Sequence, residues 1–205
     1  MVAYSADYYL GRGKHAAGVS PESTQVSIVL SCQAFMNVDH ILQTLNHQEV
    51  DFILIGGMNF LLRHAPELTF DVDIWVADAS ENLMRLNEAL KKLGAKWGPT
   101  EQAWGPVPDD FRWLETQSCF CLETEHGALD IFREVCGLEG GYLECRKVAV
   151  FAHTPAGIAY AGLSDAHMLA TQEALPASEQ KPRRIATLKQ AIQRQKNAPS
   201  SIHFP

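Results

Sequence analysis

The segment that most constrains the fold is "FILIGGMNFLLRHAPELTFDVDIWV", residues 52–76, where two apolar runs flank two glycines and a helix-like stretch. The first run predicts a buried strand that ends in a turn at Gly56 and Gly57, and "MNFLLRHA" predicts a short helix. The second run, "FDVDIWVA", predicts a strand that carries Asp71 and Asp73. Because residues i and i+2 of a strand point to the same face, the two carboxylates are expected to lie side by side.

Two carboxylates inside an apolar strand repel each other and lose hydration unless a cation compensates them. Mg²⁺ prefers carboxylate oxygens and substrate phosphates, so the pair predicts a site for Mg²⁺ or Mn²⁺. Gly56 and Gly57 lack side chains and precede a helix whose first N–H groups need partners, so we expect the backbone there to bind phosphate. A third acid, Asp130 in "ALDIF", lies on another predicted strand and completes a candidate two-metal arrangement.

The chain as a whole predicts an α/β (α+β) fold, in which helices pack on a mixed sheet and further helices follow at the C-terminus. The elements are predicted in the order α-β-α-β-α-β-β-β-β-α-α. Residues 36–162 form the predicted core, and residues 163–205 form a predicted C-terminal helical segment. Residues 1–35 have no periodicity and are an N-terminal extension, an upstream in-frame translation or an arm that pairs with another chain.

Several elements carry signals for their own ends. Asn37 or Asp39 is expected to cap the first helix of the core. Ser80 is expected to cap the helix in "SENLMRLNEALKKLGA", and Gly94 is expected to end it. Four further segments are predicted strands: "QSCFCLET", "GALDIFRE", "GYLECRKVAVFA" and "AGIAYAGL". Residues 98–116 contain three prolines and two glycines and predict a long loop.

Composition excludes several classes of partner. The 205 residues carry a formal net charge of −7, so extended nucleic acid is not a predicted partner. No apolar run reaches the roughly 18 residues of a membrane span, and the start lacks a signal-peptide pattern, so we predict no membrane partner. The five cysteines are an odd number without a CxxC pair. They predict small buried side chains in a reducing cytosol, and hence a cytoplasmic protein.

The order of apolar strand, Gly-Gly, short helix and Asp-x-Asp strand resembles the nucleotidyltransferase superfamily, which has the polymerase-beta-like fold. "LTFDVDI" is especially similar to the stand-alone minimal nucleotidyltransferases and to the AbiEii toxin group. The motifs cover residues 50–135, while "LSDAHMLATQEAL" and "KPRRIATLKQAI" match relatives only loosely. The resemblance implies that Gly56 and Gly57 hold a triphosphate and that Asp71 and Asp73 bind Mg²⁺.

The resemblance also bears on positions further along the chain. It implies that Asp130 is a third carboxylate, aligned on an acceptor hydroxyl as a metal ligand or as a base. Arg183 and Arg184 stand where relatives carry a lysine and an aspartate, and Thr171 or Gln172 stands where a lysine is common. The basic stretch on the last helix either forms a solvated face or contacts the triphosphate, and it consists of Lys181, Arg183, Arg184 and Lys189.

The implied activity is transfer of a nucleoside monophosphate from a nucleoside triphosphate to an acceptor hydroxyl. The acceptor is open between a protein, an RNA end and a small molecule such as an antibiotic. Two alternatives stay open. In one, the fold is catalytically degenerate and binds a nucleotide or a protein partner. In the other, the chain is the toxin half of a toxin–antitoxin pair and is held inactive by an antitoxin-like partner.

Two groups of side chains near these motifs have competing interpretations. Arg63 and His64 predict a solvated helix end, with phosphate binding as the alternative. Trp97, Trp104 and Trp113 predict side chains that anchor the long loop to the core, with stacking on a base or covering of an acceptor as the alternative. In each case the alternative requires a side chain that is free to meet a ligand.

Overall fold

A mixed β-sheet forms the centre of the protein. The computed structural model describes residues 36–98, 100 and 103–197. Its strands are β1 Phe52–Leu54, β2 Asp71–Val76, β3 Lys96–Trp97, β4 Gly105–Pro106, β5 Cys119–Thr124, β6 Gly127–Phe132, β7 Val150–His153 and β8 Ala159–Gly162. All eight belong to one sheet in the spatial order β4-β3-β5-β6-β2-β1-β8-β7. The predicted α/β (α+β) fold with a mixed sheet is therefore confirmed.

Six α-helices accompany these strands in the described residues. They are α1 Val38–His47, α2 Gly56–Arg63, α3 Ser80–Lys92, α4 Gly141–Lys147, α5 Asp165–Ala174 and α6 Pro182–Asn197. A 3-10 helix, Phe111–Glu115, lies between β4 and β5. In the described residues no helix is long and apolar enough to cross a membrane.

The helices cover both faces of the sheet. One face packs on α1 and α3 through side chains that have no exposed surface: Ile41, Leu42, Leu86, Leu90, Val72, Ile74, Leu129 and Ile131. The other face packs on α2, α4, α5 and α6 through a second buried cluster that includes Ile53, Phe60, Trp75, Tyr142, Met168 and Leu188. Fully burying one such aliphatic or aromatic side chain stabilises a fold by about 1.5–3 kcal/mol, so these two layers fix the position of each strand.

Strand β2 joins the two halves of the sheet. It pairs antiparallel with β1, where Leu54 lies opposite Ile74, and parallel with β6, where Asp73 lies opposite Asp130. A parallel pair needs a long crossover connection, and helix α3 lies within it. Strands β5 and β6 form a hairpin that turns at Gly127. This residue has a φ of +120°, a conformation that glycine adopts readily and other residues rarely adopt.

The end signals of the helices are confirmed in part. Asn37 caps α1, because its side-chain oxygen accepts the His40 N–H at 3.0 Å. Gly94 follows the end of α3 with a φ of +61°, as its position predicts. The prediction that Ser80 caps α3 is wrong, since Ala79 occupies the cap position without a side-chain hydrogen bond.

The predicted strand "GYLECRKVAVFA" is wrong over its first half. Residues Gly141–Lys147 form helix α4, and only Val150–His153 form strand β7. Tyr142 and Cys145 are buried three positions apart, whereas Leu143 between them is 71% exposed. This spacing belongs to one face of a helix and does not fit the alternation of a strand.

The long loop predicted over residues 98–116 contains strand β4 and the 3-10 helix, so part of it is regular. Trp113 of this loop is anchored, because its ring centroid lies 4.9 Å from those of Trp97 and Phe120. The Trp113 Nε1–H also donates to Asn87 Oδ1 at 2.8 Å. Anchoring of the loop is thus confirmed for Trp97 and Trp113.

The division of the chain into three segments stays a prediction. The last strand ends at Gly162 and α5 begins at Asp165, on either side of the predicted boundary. The predicted N-terminal extension, residues 1–35, lies outside the described residues.

Candidate active site

Three carboxylates meet where β2 and β6 run side by side. Asp73 is paired directly with Asp130 in this parallel register, and Asp71 projects from the same face two residues earlier. One carboxylate oxygen from each residue lies within 4.8 Å of those of the other two. Leu129 and Ile131 are fully buried on the opposite face. The structure therefore brings together the three acids that the sequence singled out.

The two glycines lie against these carboxylates. They are the first two residues of α2, separated from β1 by Ile55, and do not precede the helix as the sequence suggested. Gly56 has a φ of +62°, and a Cβ on it would lie 2.6 Å from the Asp73 Cγ. The Gly57 N–H donates to the Asp73 carboxylate. Position 56 thus needs glycine both for its backbone conformation and for the space that Asp73 occupies.

The electrostatics of the cluster favour a bound cation. Burial, followed by the charges of Asp71 and Asp130, raises the pKa of Asp73 from 3.8 to about 7. The Gly57 hydrogen bond and the charge of Arg184 oppose this rise without cancelling it. Oxygen-only donors of this kind suit a hard divalent cation such as Mg²⁺. The donor set and its negative charge therefore fit the metal that the sequence predicts.

Arg184 lies beside the glycines, and Arg183 does not share its environment. Arg184 is 6% exposed, and a Cβ on Gly57 would lie 3.4 Å from its Nη2 atom. Its guanidinium forms two hydrogen bonds to Glu67, from Nε at 3.0 Å and from Nη2 at 2.5 Å. Lys181 donates to the same carboxylate at 2.7 Å. Arg183 is exposed, since successive residues of a helix point about 100° apart.

The Glu67 carboxylate thus faces two cations. Burial raises its pKa, but hydrogen bonds and charges from Arg184 and Lys181 outweigh burial and hold the pKa below its ordinary value. The three side chains together carry one net positive charge next to the first turn of α2. Helix α6 is in this way tied to the segment that leads into β2.

Arg63 and His64 have a structural role that the sequence did not predict. Both side chains bind the buried Asp165, at 2.6 Å from Arg63 Nη2 and 2.9 Å from His64 Nε2. The Arg63 Nη1 also donates to the Leu163 carbonyl at 2.6 Å. The prediction of a solvated helix end is therefore wrong, because these side chains join α2 to α5 in the interior.

Two neighbours of the carboxylates were missed by the sequence analysis. Thr69 Oγ1 donates to Asp71 Oδ1 at 3.0 Å. Cys121 lies directly opposite Asp130 in the β5–β6 hairpin, and its thiol is hydrogen-bonded to the Asp130 carboxylate and to Cys119. The bond to Cys119, then burial, then the Asp130 charge raise the pKa of the Cys121 thiol. The turn at residue 127 sets this register, so the hairpin pattern could have identified Cys121.

The prediction that the cysteines are small buried side chains holds for part of the set. Cys145 is buried, Cys119 and Cys121 are half-buried, and Cys136 is exposed. All four are free thiols, and Cys32 lies outside the described residues. The two half-buried thiols lie on the sheet face that carries the carboxylates.

Comparison with solved structures found proteins of similar fold. The crystal structure of ANT(2'')-Ia in complex with adenylyl-2''-tobramycin is similar at 13% identity, over 85% of this chain and 92% of that chain, with a TM-score of 0.48. The solution structure of the antibiotic-resistance factor ANT(2'')-Ia is similar at 12% identity, over 76% of this chain and 80% of that chain, with a TM-score of 0.45. Lincomycin-bound LnuA, a lincosamide antibiotic adenylyltransferase, is similar at 17% identity, over 73% of this chain and 92% of that chain, with a TM-score of 0.43.

Comparison with protein families and with curated proteins gave no match. The structural neighbours have identities below 25% and TM-scores below 0.5. Values this low leave the geometry of the carboxylates, glycines and Arg184 as the basis for a functional assignment.

Proposed function

We propose that the protein is a metal-dependent nucleotidyltransferase that moves a nucleoside monophosphate from a nucleoside triphosphate to an acceptor hydroxyl. The observation that carries the proposal is the set of three carboxylates within 4.8 Å of one another beside a helix that begins with two glycines. Acids this close together repel each other and are stabilised by a cation, and the start of a helix favours an anion. A metal-bound triphosphate supplies both.

Asp71, Asp73 and Asp130 would hold Mg²⁺ or Mn²⁺ in this proposal. Such an ion neutralises charge on the triphosphate and lowers the pKa of a hydroxyl bound to it. Thr69 supports the ligand set by donating to Asp71 Oδ1, and the Gly57 N–H does the same for Asp73. Because partners of this kind orient metal ligands, both contacts would keep the carboxylates aimed at one point.

The triphosphate would lie against the first turn of α2. The N-terminus of this helix carries a partial positive charge, and the phosphates would approach it past Asp73, Thr69 and Arg184, whose side chains lie against Gly56 and Gly57. Arg184, which lies beside Gly57 and is paired with Glu67, would contact a phosphate oxygen, with Lys181 next to it. Arg183 stays a candidate for the same role, although its exposed position makes Arg184 the stronger choice.

The reaction itself would be an in-line displacement at the α-phosphorus. The acceptor oxygen forms a bond to that phosphorus, the bond to the oxygen that bridges the α- and β-phosphates breaks, and pyrophosphate leaves. Asp130 is the proposed acceptor of the hydroxyl proton, because it completes the cluster from the neighbouring strand. Most of the rate enhancement would come from positioning the two reactants in line.

The acceptor is proposed to be a hydroxyl of a small molecule, of a protein or of an RNA end. The net charge of −7 gives no long-range attraction for an extended polyanion. A small neutral or cationic acceptor is therefore favoured among the three, on electrostatic grounds. The identity of the base in the triphosphate is left to experiment.

The test is release of pyrophosphate from each of the four ribonucleoside triphosphates with Mg²⁺, first with water and then with a panel of hydroxyl acceptors. The single variants Asp71→Asn, Asp73→Asn and Asp130→Asn are compared with Glu139→Gln, which removes an exposed acid elsewhere. We expect the three site variants to lower turnover by at least about 100-fold and the control to be active. Asp130→Asn should bind nucleotide normally, whereas loss of either acid of β2 should weaken binding as well. Equal turnover in all four variants would show that these carboxylates are not the site.

A further inference from the structure

A thiol lies next to the third carboxylate. Cys121 of β5 is paired directly with Asp130 of β6, which is itself paired directly with Asp73 of β2. Directly paired residues of adjacent strands project from the same face, so the three side chains form a row across the sheet. The Cys121 thiol is hydrogen-bonded to the Asp130 carboxylate. One end of the row is therefore a thiol and the other two members are acids.

The forces on Asp130 are unequal on its two sides. Asp71 and Asp73 lie on the β2 side, and like charges there push the Asp130 carboxylate towards β5. Cys121 lies on the β5 side, where a protonated thiol can donate to the carboxylate. Asp130 is 5% exposed, so few waters are available to hold its oxygens. A donor at this position limits rotation of the carboxylate about its side-chain bonds.

We infer that Cys121 is a positioning residue, whose thiol binds one oxygen of the Asp130 carboxylate on the β5 side and so keeps the other oxygen facing Asp73 on the β2 side. The inference deepens the proposed function and rests on it, because Asp130 matters for turnover only if the three carboxylates form the site. Cys121 takes no part in the chemistry itself. It sets the direction of the carboxylate that would accept the proton of the acceptor hydroxyl.

The test separates loss of the donor from loss of the side chain's volume. Cys121→Ser keeps a donor, whereas Cys121→Val removes the donor and keeps a similar volume on a strand. Cys145→Val removes a buried thiol from α4, outside the site, and is the matched control. Two quantities are measured for each protein: kcat and KM for pyrophosphate release, and the affinity for Mn²⁺ without nucleotide by isothermal titration.

Valine at position 121 is expected to lower kcat and the affinity for Mn²⁺, and serine at the same position is expected to preserve both. Partners that orient metal ligands typically change affinity or activity by 10- to 100-fold, and a thiol is a weak donor, so Cys121→Val should lower kcat by about tenfold. Mn²⁺ affinity should fall by about three- to tenfold, since Asp130 is one of the proposed ligands. KM for the triphosphate should change by less than about twofold, because Asp130 does not contact the phosphates in the proposal. Cys121→Ser should lie within about threefold of the wild type.

Other outcomes would overturn the role of Cys121, the proposed transfer or both. Wild-type kcat and Mn²⁺ affinity in Cys121→Val would overturn the inference alone, and so would equal losses in the serine and valine variants. A wild type that binds Mn²⁺ without turnover would refute the proposed transfer, and the ranking of Mn²⁺ affinities would then decide the role of Cys121. A wild type that lacks both properties would overturn both. If valine lowers the Tm by more than about 5 °C, Cys121→Ala replaces it as the variant without a donor.

Discussion

Replacing Asp73 by asparagine is expected to stabilise the metal-free protein while removing its response to Mg²⁺. Asparagine has nearly the same shape, and its Oδ1 can still accept the hydrogen bond from the Gly57 N–H. What disappears is a negative charge that is partly removed from water and lies next to Asp71 and Asp130. The substitution thus tests whether the carboxylates repel each other in the absence of a cation.

The size of the effect follows from the pKa of Asp73, which rises from 3.8 to about 7. The unfolded chain releases this proton near pH 4 and the folded protein holds it until about pH 7, so stability falls as pH rises between these values. One pKa unit corresponds to about 1.4 kcal/mol, which gives an upper bound of about 4 kcal/mol. Because the side chain is only half-buried, solvent screening reduces the expected gain to about 2 kcal/mol. For a chain of this size that is about 4–8 °C in Tm.

The assay is thermal unfolding followed by circular dichroism at pH 5 and pH 8, with a chelator or with Mg²⁺. At pH 8 with chelator, Asp73→Asn should melt about 4–8 °C above the wild type, and the gap should shrink at pH 5. Mg²⁺ should raise the Tm of the wild type and leave that of the variant unchanged. Glu139→Gln, which removes an exposed acid, should match the wild type throughout. Charge repulsion at Asp73 is refuted if Asp73→Asn melts at or below the wild type at pH 8, or if the difference in Tm is the same at both pH values.

Three further substitutions test other parts of the structure. Gly56→Ala should lower the free energy of unfolding by about 1–2 kcal/mol, because position 56 has a left-handed backbone, and it should abolish Mg-nucleotide binding by displacing Asp73. The control is Gly141→Ala, at a φ of +68° with open space around it, which should show the backbone cost alone. Asp165→Asn should lower the free energy of unfolding in urea by about 3–5 kcal/mol, because it leaves a buried arginine without its counter-charge. Trp113→Phe should lower that free energy by about 1–3 kcal/mol, because the buried asparagine oxygen loses its donor, and pyrophosphate release should be unchanged.

Each of these has an outcome that contradicts it. Normal Mg-nucleotide binding in Gly56→Ala would show that the alanine and Asp73 fit together. Asp165→Asn with wild-type stability in urea would show that the pair with Arg63 contributes nothing. Slower pyrophosphate release in a stably folded Trp113→Phe would indicate that this loop contacts a substrate.

The position of Asp71 and Asp73 could be predicted because it depends on strand alternation, which is a local property. The pairing of β2 with β6 could not, since strand order depends on which surfaces bury each other across the whole chain. The roles of Arg63 and His64 were missed for the same reason, because their partner Asp165 lies 102 positions after Arg63.

Helix α4 was missed for a different reason. The apolar residues of β7 follow it closely, so "GYLECRKVAVFA" looks like one continuous run, and the short helix has too few turns to establish a period. Glu67, by contrast, lies between two predicted elements and belongs to no motif. Its pairing with Arg184 depends on how α6 packs against the segment before β2.

The parallel pairing of β2 with β6 also sets an order of events during synthesis. A nascent chain that has emerged as far as α3 already contains the glycine pair and both acids of β2, but it lacks the strand that carries Asp130. Strand β1 gains its second pairing partner later still, because that partner is β8. Contacts between distant segments close slowly, so a chain that is released early holds two of the three carboxylates and no complete cluster. In the proposed function, a product that ends before Gly127 would lack Asp130 and would not transfer a nucleotide.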